Sequence, residues 1–583
     1  MNRLPWWLGA LLALALIAIG GWLTLRPMAS LAALLLLIVV GLLVAGVAEL
    51  LAPAAERAEE DPRRRRFRLL RGAAYILGAI AVVAFTGLGV RVVIIAVGVS
   101  LIVGGILDLL EARASRGVER WNAALGGVAS VAFGALALLW PDVSVILIGV
   151  FFGIRLILLG GRLLGRSVAR ARGRDDEGRD TPRTSGRRAW LRLAGNALAV
   201  LLAVALVATS FVIRRGAPEP DEFYAAPADV PAEPGRLLKA EPYTREIPEG
   251  ASAWRILYTT TRDEGQPAVA SGLVVVPTDQ AGDRIPVIAW AHGTTGAVPG
   301  CAPTVTEPFE SGAFFNIDAV MENGWAFVAT DYVGLGTEGP HPYLIGQGEG
   351  RSVLDAIRAA RELDDVELGE QTVVWGHSQG GHAALWTGML APTYAPELAI
   401  EGVAALAPAS NLPALIDNLG NVTAGELFAA FVIDSYAAIY DDVSYEEYVR
   451  PGAQPIVEEM AGRCLADRRT LISVGTIFAL DRTIWNGDPN RGALAQRLEE
   501  NTPAGPIEAP LLIGQGADDQ LVVLPAQEAF VEERCAAGQQ VDFRVYEGRD
   551  HVPLVEPDSP AIPELVEWTQ ARLQGEPVEN TCG

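Results

Sequence analysis

The chain has 583 residues, half of them hydrophobic, with 46 basic against 69 acidic side chains and a formal net charge of −23. That length exceeds one ordinary domain, and the apolar content excludes a mainly disordered chain. Residues 1–215 hold 26 Arg and 13 acids, whereas residues 216–583 hold 20 basic and 56 acidic side chains. The second part would therefore repel phosphates, and no nucleic-acid partner is expected.

Seven apolar stretches precede residue 215, at roughly 6–25, 31–51, 72–90, 92–110, 121–140, 143–164 and 190–213. Each approaches the ~20 residues that cross a bilayer as a helix. The first follows Arg3 and could serve as a secretory signal, but its apolar core is long and a second span follows at once. The connections alternate in charge. Arg63 to Arg66 follow the second span, Arg113, Arg116 and Arg120 the fourth, and a run from Arg166 to Arg188 the sixth. The positive-inside bias puts the N-terminus and these loops in the cytoplasm, and residue 216 onward outside. Arg214 and Arg215, after the last span, run against that bias.

The first six spans read as three hairpins with weak self-similarity. Gly46-Val-Ala-Glu49-Leu-Leu returns as Gly105-Ile-Leu-Asp108-Leu-Leu, and Pro27 and Pro141 each precede a Gly by 19 residues. This pattern resembles the HdeD-like family of small bacterial membrane proteins, which implies a location more than an activity. Arg155 falls inside the sixth span, where a charge costs about 3 kcal/mol and attracts a functional reading. A structural ion pair with Glu49 or Asp108, or snorkelling, is the blander account. The expected organisation is a six-span domain at 1–165, a basic cytoplasmic linker at 166–189, a seventh span at 190–213 and a Pro-rich tether at 214–245. A globular domain at 246–583 follows.

In that domain, short apolar runs alternate with helical segments. Strands are expected at Trp254–Thr260, Val269–Val276, Val287–Ala291, Ala326–Thr330, Thr372–Trp375, Gly402–Leu406, Pro510–Ile513 and Asp542–Tyr546, with helices over Ser352–Leu363 and Gly381–Leu390. Continuous runs without alternation suit central strands covered on both faces, so the fold expected is a mostly parallel α/β sheet.

Gly376-His377-Ser378-Gln379-Gly380 follows one such strand directly and opens a helix. G-x-S-x-G in a strand–turn–helix setting lifts the serine hydroxyl off the sheet at the helix's positive end. A serine nucleophile needs a base, and the base an orienting carboxylate. Of five histidines, His551 follows the last strand and suits the order Ser, acid, His. His292 belongs to a loop after Ala291, His377 is confined within the turn, His382 lies on the next helix and His341 in a Pro-flanked loop. The acid should follow Ile513, where Asp518 and Asp519 are adjacent. Gly516-x-x-Asp519-x-x-Val522 resembles the pattern common to hydrolases at this place, which implies Asp519, with Asp518 the alternative. The oxyanion requires donors already in place. The N–H of Gln379 is one, and Thr294 in His292-Gly-Thr-Thr-Gly296 the other, with Thr295 the alternative.

These motifs, with Asp331-Tyr-Val-Gly-Leu-Gly336, Gly339-Pro-His-Pro-Tyr343 and Arg351-Ser-Val-Leu-Asp355, make residues 250–575 resemble the secretory lipase family of α/β-hydrolases. The resemblance implies a hydrolase sheet with a helical cap, and hydrolysis of carboxylic esters including acylglycerols. A cap is also visible without it. The strand pattern is suspended between 411 and 509, a stretch holding Phe428, Phe431, Tyr436, Tyr440, Tyr445, Tyr448, Phe478 and Trp485. These aromatics could line an acyl pocket or form the cap's own core.

All four cysteines lie in the second half, which suits an oxidising compartment. Of three pairings, Cys301–Cys464 and Cys535–Cys582 are expected, tying a loop to the cap and the C-terminus to the domain. No C-x-x-C spacing or histidine pair suggests a metal, and no cofactor is implied. The sequence therefore points to a membrane-anchored, extracytoplasmic serine esterase or lipase acting on ester or lipid substrates. An acyltransferase with the same residues, a peptidase, and an envelope-stress membrane protein with a non-catalytic hydrolase domain are the alternatives.

Overall fold

The computed structural model describes residues 219–583 apart from 263–264, 279–283, 307–312, 365, 468, 481–482 and 583. Of the first 218 residues it describes 6–25, 86–114 and 116–140, with scattered positions at 36–80 and 153–208. The arginines after the second and sixth expected spans, Glu49, Arg155 and much of the second, third, sixth and seventh expected spans lie outside the described residues. Contact density divides the chain into Met1–Arg215 with Val449–Glu459 and Leu471–Ile484, and a second unit holding the rest.

In the first unit, Trp6–Leu25, Thr86–Ala114 and Gly117–Leu139 are helices. Two windows, Trp6–Leu25 and Arg120–Leu139, are long and apolar enough to cross a membrane, with mean hydropathy 2.2 and 1.8. The helices meet through glycines. A Cβ on Gly105 would lie 2.6 Å from the Gly127 carbonyl oxygen, and one on Gly134 2.6 Å from that of Gly98. The same antiparallel arrangement recurs where Gly20 faces Gly153 and Gly160 faces Ala13, each 2.7 Å by the same measure. Both seams repeat every seven residues. Small residues at this spacing let helix backbones approach closely where lipid removes the hydrophobic drive to associate.

The second unit is built on one nine-stranded sheet: β1 Leu237–Pro242, β2 Ala251–Thr261, β3 Pro267–Pro277, β4 Ile285–Ala291, β5 Ala326–Thr330, β6 Leu368–His377, β7 Ala399–Leu406, β8 Leu511–Gly516 and β9 Val541–Tyr546. The spatial order is β1-β2-β3-β5-β4-β6-β7-β8-β9. β1, β2, β3 and β5 pair antiparallel in succession, and every pairing from β5 through β9 is parallel. All eight expected strands form.

The continuous apolar runs now have a physical reason. Along β4, Ala289 and Ala291 pack with Val353, Leu354 and Leu385 of two helices on one face. Ile288 and Trp290 pack with Ile317, Leu565 and Trp568 on the other. With both faces covered, alternate side chains are all buried. Trp290 and Trp375 are fully buried, and truncating either to Ala should cost about 3–5 kcal/mol.

One boundary needs correction. The tether expected over 214–245 is docked from Asp221 onward. Glu222–Tyr224 is a 3-10 turn whose Phe223 and Tyr224 join the core, and β1 follows as an edge strand. Arg255 holds the segment, with its guanidinium over both rings and ion pairs to Asp221 at 2.9 Å and Glu241 at 2.7 Å. The prolines and acids of this stretch read as a linker because its anchors, two aromatic side chains, ion pairs and a short edge strand, leave no apolar run in the sequence.

Between β7 and β8 the chain forms six helices among the described residues, from Leu412–Leu419 to Gly492–Glu500, where the cap was expected. Both expected disulfides are present, Cys301–Cys464 and Cys535–Cys582.

Candidate active site

Parallel pairing puts the C-terminal ends of β4, β6, β8 and β9 on one edge of the sheet, where crevices form in such folds. Each candidate residue leaves one of these ends. Ser378 follows β6 with φ 59° and ψ −119°, a conformation L-residues avoid and tight neighbours enforce. A Cβ on Gly376 would lie 2.0 Å from the Gly380 carbonyl oxygen, and one on Gly380 1.8 Å from that of Ala291. No side chain fits at either glycine, which is why the turn needs both.

His551 lies beside Ser378, with Nε2 2.8 Å from Ser378 Oγ and Nδ1 2.8 Å from Asp519 Oδ2. A carboxylate only accepts, so Nδ1 carries the proton and Nε2 is free to take one from the serine. Asp519 is buried and its Oδ1 accepts from the N–H groups of Leu521 and Val522 at 2.9 and 2.8 Å. Gln515 Nε2 donates to its Oδ2 at 3.2 Å. Asp518 is exposed, whereas Asp519 is buried. The structure thus brings together the three residues that chain order and the hydrolase pattern selected.

The histidine is itself held. His377 Nε2 donates to the His551 carbonyl at 3.0 Å, and the two rings lie 4.8 Å apart. Burial pushes His377 down to about 3, so it is a neutral donor and not a second base. Asp550 Oδ1 accepts from the N–H of His551 at 2.8 Å and of Gln520 at 3.1 Å, pinning the histidine loop to the acid loop. Neither role could be read from the sequence, because both contacts join segments far apart in the chain.

Gln379 opens the helix Gln379–Tyr394, so its N–H has no intrahelical acceptor. Gln379 and Thr294 line one narrow cavity with Ser378, of only ≈ 20 Å³ free volume. Thr295 does not line that cavity, and its carbonyl accepts from the Leu465 N–H at 2.8 Å. The cavity is walled by Leu415, Leu419, Phe428 and Val432 from the cap. Of the cap aromatics, only Phe428 reaches it. Phe431, Tyr436, Tyr448 and Trp485 are buried, and Phe478 is exposed. The remaining histidines are structural. Burial pushes His292 to about 4 and His341 to about 3. His382 pairs with buried Glu349 at 2.8 Å.

The secretory lipase family profile matches residues 311–581. A secreted triacylglycerol lipase of Malassezia globosa is 26% identical over 414 residues, covering 66% of this chain and 88% of its own. A Mycobacterium tuberculosis relative named as a probable inactive lipase is 26% identical over 390 residues, covering 62% of this chain and 83% of its own. The structure of Candida antarctica lipase A in its closed state superimposes with TM-score 0.54 at 20% identity, over 63% of this chain and 89% of that one, which shows a shared fold.

The second unit is a carboxylic ester hydrolase. In the N-terminal region of the same chain, a short repeat of unknown function matches at residues 11–84 and 70–136. That match attaches no activity to the repeats.

Proposed function

We propose that this chain is a membrane-anchored serine hydrolase, acting outside the cytoplasm on carboxylic esters of lipid or acylglycerol type. Ser378 is the nucleophile, His551 the general base and then acid, and Asp519 the group that orients His551 and stabilises its charged form. As Ser378 Oγ attacks the ester carbonyl, His551 Nε2 takes its proton. The N–H groups of Gln379 and Thr294 receive the oxyanion. Collapse of the tetrahedral species expels the alcohol, which takes the proton from His551. Water, deprotonated by the same nitrogen, then releases the acid from Ser378.

The observation that carries the reading is the unbroken relay from Ser378 through His551 to Asp519, at 2.8 Å in each step. It matters because one relative bears a name denoting inactivity, so likeness alone cannot supply the chemistry. The apolar wall of Leu415, Leu419, Phe428 and Val432 supports an acyl chain as the group bound beside the serine. The two apolar helices, the Arg-rich loops and the four paired cysteines support the anchor and the oxidising side.

The test is ester hydrolysis by the purified full chain across an acyl chain-length series, with Ser378→Ala alongside. Activity should fall by about 10⁴-fold or more in the variant. Hydrolysis that survives the substitution would remove Ser378 from the mechanism. Protease protection in intact spheroplasts tests the topology separately: the hydrolase domain should be digested from outside.

A further inference from the structure

Two groups that the mechanism leaves unused lie behind the oxyanion site, and both come from one segment, residues 339–349, which runs from the loop after β5 into the first turn of the helix Gly346–Ala360. Glu349 is fully buried. Its Oε1 accepts from Gln379 Nε2 at 2.7 Å and from the Leu344 N–H at 3.0 Å, and its Oε2 faces His382 Nδ1 at 2.8 Å. His382 Nε2 meets the Asn501 carbonyl at 2.8 Å, so both ring nitrogens have acceptors. His341 takes a second bond from Gln379 Nε2 at 3.1 Å, while its own Nδ1 donates to the Val333 carbonyl at 3.2 Å. The Gln379 amide is thus gripped through its nitrogen alone. Its Oε1 has no partner among the described residues.

The other donor is gripped from the same loop. Tyr343 OH bonds Thr294 Oγ1 at 2.9 Å. The tyrosine is buried, its ring lies edge-on to Phe431 at 5.8 Å, and its N–H donates to Ser435 Oγ at 2.9 Å.

We propose that Glu349 and Tyr343 are positioning residues for the oxyanion site, each holding one of its two donors through a side-chain hydrogen bond. The inference rests on the reading of Gln379 and Thr294 as those donors. A peptide N–H stabilises the tetrahedral species only where it points at the developing charge, and small displacements are costly in rate. The Gln379 side chain fixes the orientation of its own peptide unit, and Glu349 supplies its charge-assisted anchor. The loop therefore does for the oxyanion donors what Asp519 does for His551.

The test is steady-state ester hydrolysis by the full chain. Gln379→Ala keeps the N–H but cuts the grip, and should lower kcat about 10- to 100-fold with KM within about threefold. Glu349→Ala should lower kcat similarly, and add nothing further in the Gln379→Ala background, because both remove one link. Glu349→Gln should restore most of the rate, since a neutral acceptor remains. Tyr343→Phe acts on the other donor, so its smaller loss should multiply with that of Gln379→Ala. Unchanged kcat in Gln379→Ala would overturn the proposal, as would full multiplication of the Glu349 and Gln379 losses. If Glu349→Ala lacks a cooperative thermal transition, Gln379→Ala alone decides. Activity persisting in Ser378→Ala would instead sink the underlying serine-hydrolase reading, so the two failures are distinguishable.

Discussion

The N-terminal region and the hydrolase sheet are both apolar inside, yet they bring their elements together by opposite means. The N-terminal helices meet at Gly105 and Gly127, and at Gly98 and Gly134, where a facing carbonyl and a neighbouring aliphatic side chain occupy the space a Cβ would take. The sheet is filled by Trp290, Trp375 and Phe327, which occupy the space between layers. In water, burying large side chains drives assembly. In lipid that drive is absent, and close contact between small residues takes its place. The contrast explains why one sequence carries two apolar signatures, glycines at heptad spacing and continuous strand runs.

Substitutions can break this comparison at either end. The largest effect is expected at the catalytic edge of the sheet. Asp519→Asn should lower kcat by about 10⁴-fold while leaving the fold intact, because the amide cannot hold His551 in the required tautomer. Its exposed neighbour offers the control: Asp518→Asn should stay within about twofold. Equal losses at both positions would undo the assignment of the acid.

A smaller effect is expected at the seam. Gly105→Leu should destabilise the N-terminal helix pair by about 1–3 kcal/mol through overpacking, read as earlier loss of helical signal on heating the detergent-solubilised chain. Ester turnover at 25 °C should stay within about twofold, since the hydrolase core is filled independently. Loss of turnover in step with the helices would show that the two regions do not stand apart.

The smallest effect is a slope. Burial has already pushed His292, His341 and His377 down to about 3–4, so these rings stay neutral throughout the range where the enzyme is assayed. As pH falls, log kcat/KM should therefore decline with a slope of one, from a single essential group that must be unprotonated. A slope of two would place a second titrating base in the mechanism.

How much was legible beforehand follows the same division. The strands, the Ser378 turn and the order of nucleophile, acid and base were readable because parallel strands and sharp turns restrict composition locally. Asp519 was preferred over Asp518 only through a resemblance to the common hydrolase pattern. The disulfide partners followed from where the loop and the cap fall in the chain. The first turn of the helix beginning at Gly346 was hidden, because three glycines in its first five residues argue against a helix. The docking of Phe223 and Tyr224 was hidden by the prolines around them. Glu349, Tyr343, His377 and Asp550 were not legible as site residues, because their partners are distant in sequence and only the fold brings them close. In the N-terminal region, composition gave apolar helices but no chemistry, and the glycine pairing became visible only once helices were set against one another.

The most direct test of the central claim is covalent trapping. The full chain would be treated with a fluorophosphonate ester, which mimics the tetrahedral species and stays bonded to an activated serine, and the adduct mapped by mass spectrometry. The account predicts one adduct per chain, on Ser378, formed in proportion to the loss of ester hydrolysis. Inactivation without modification of Ser378, or full modification with activity retained, would contradict it.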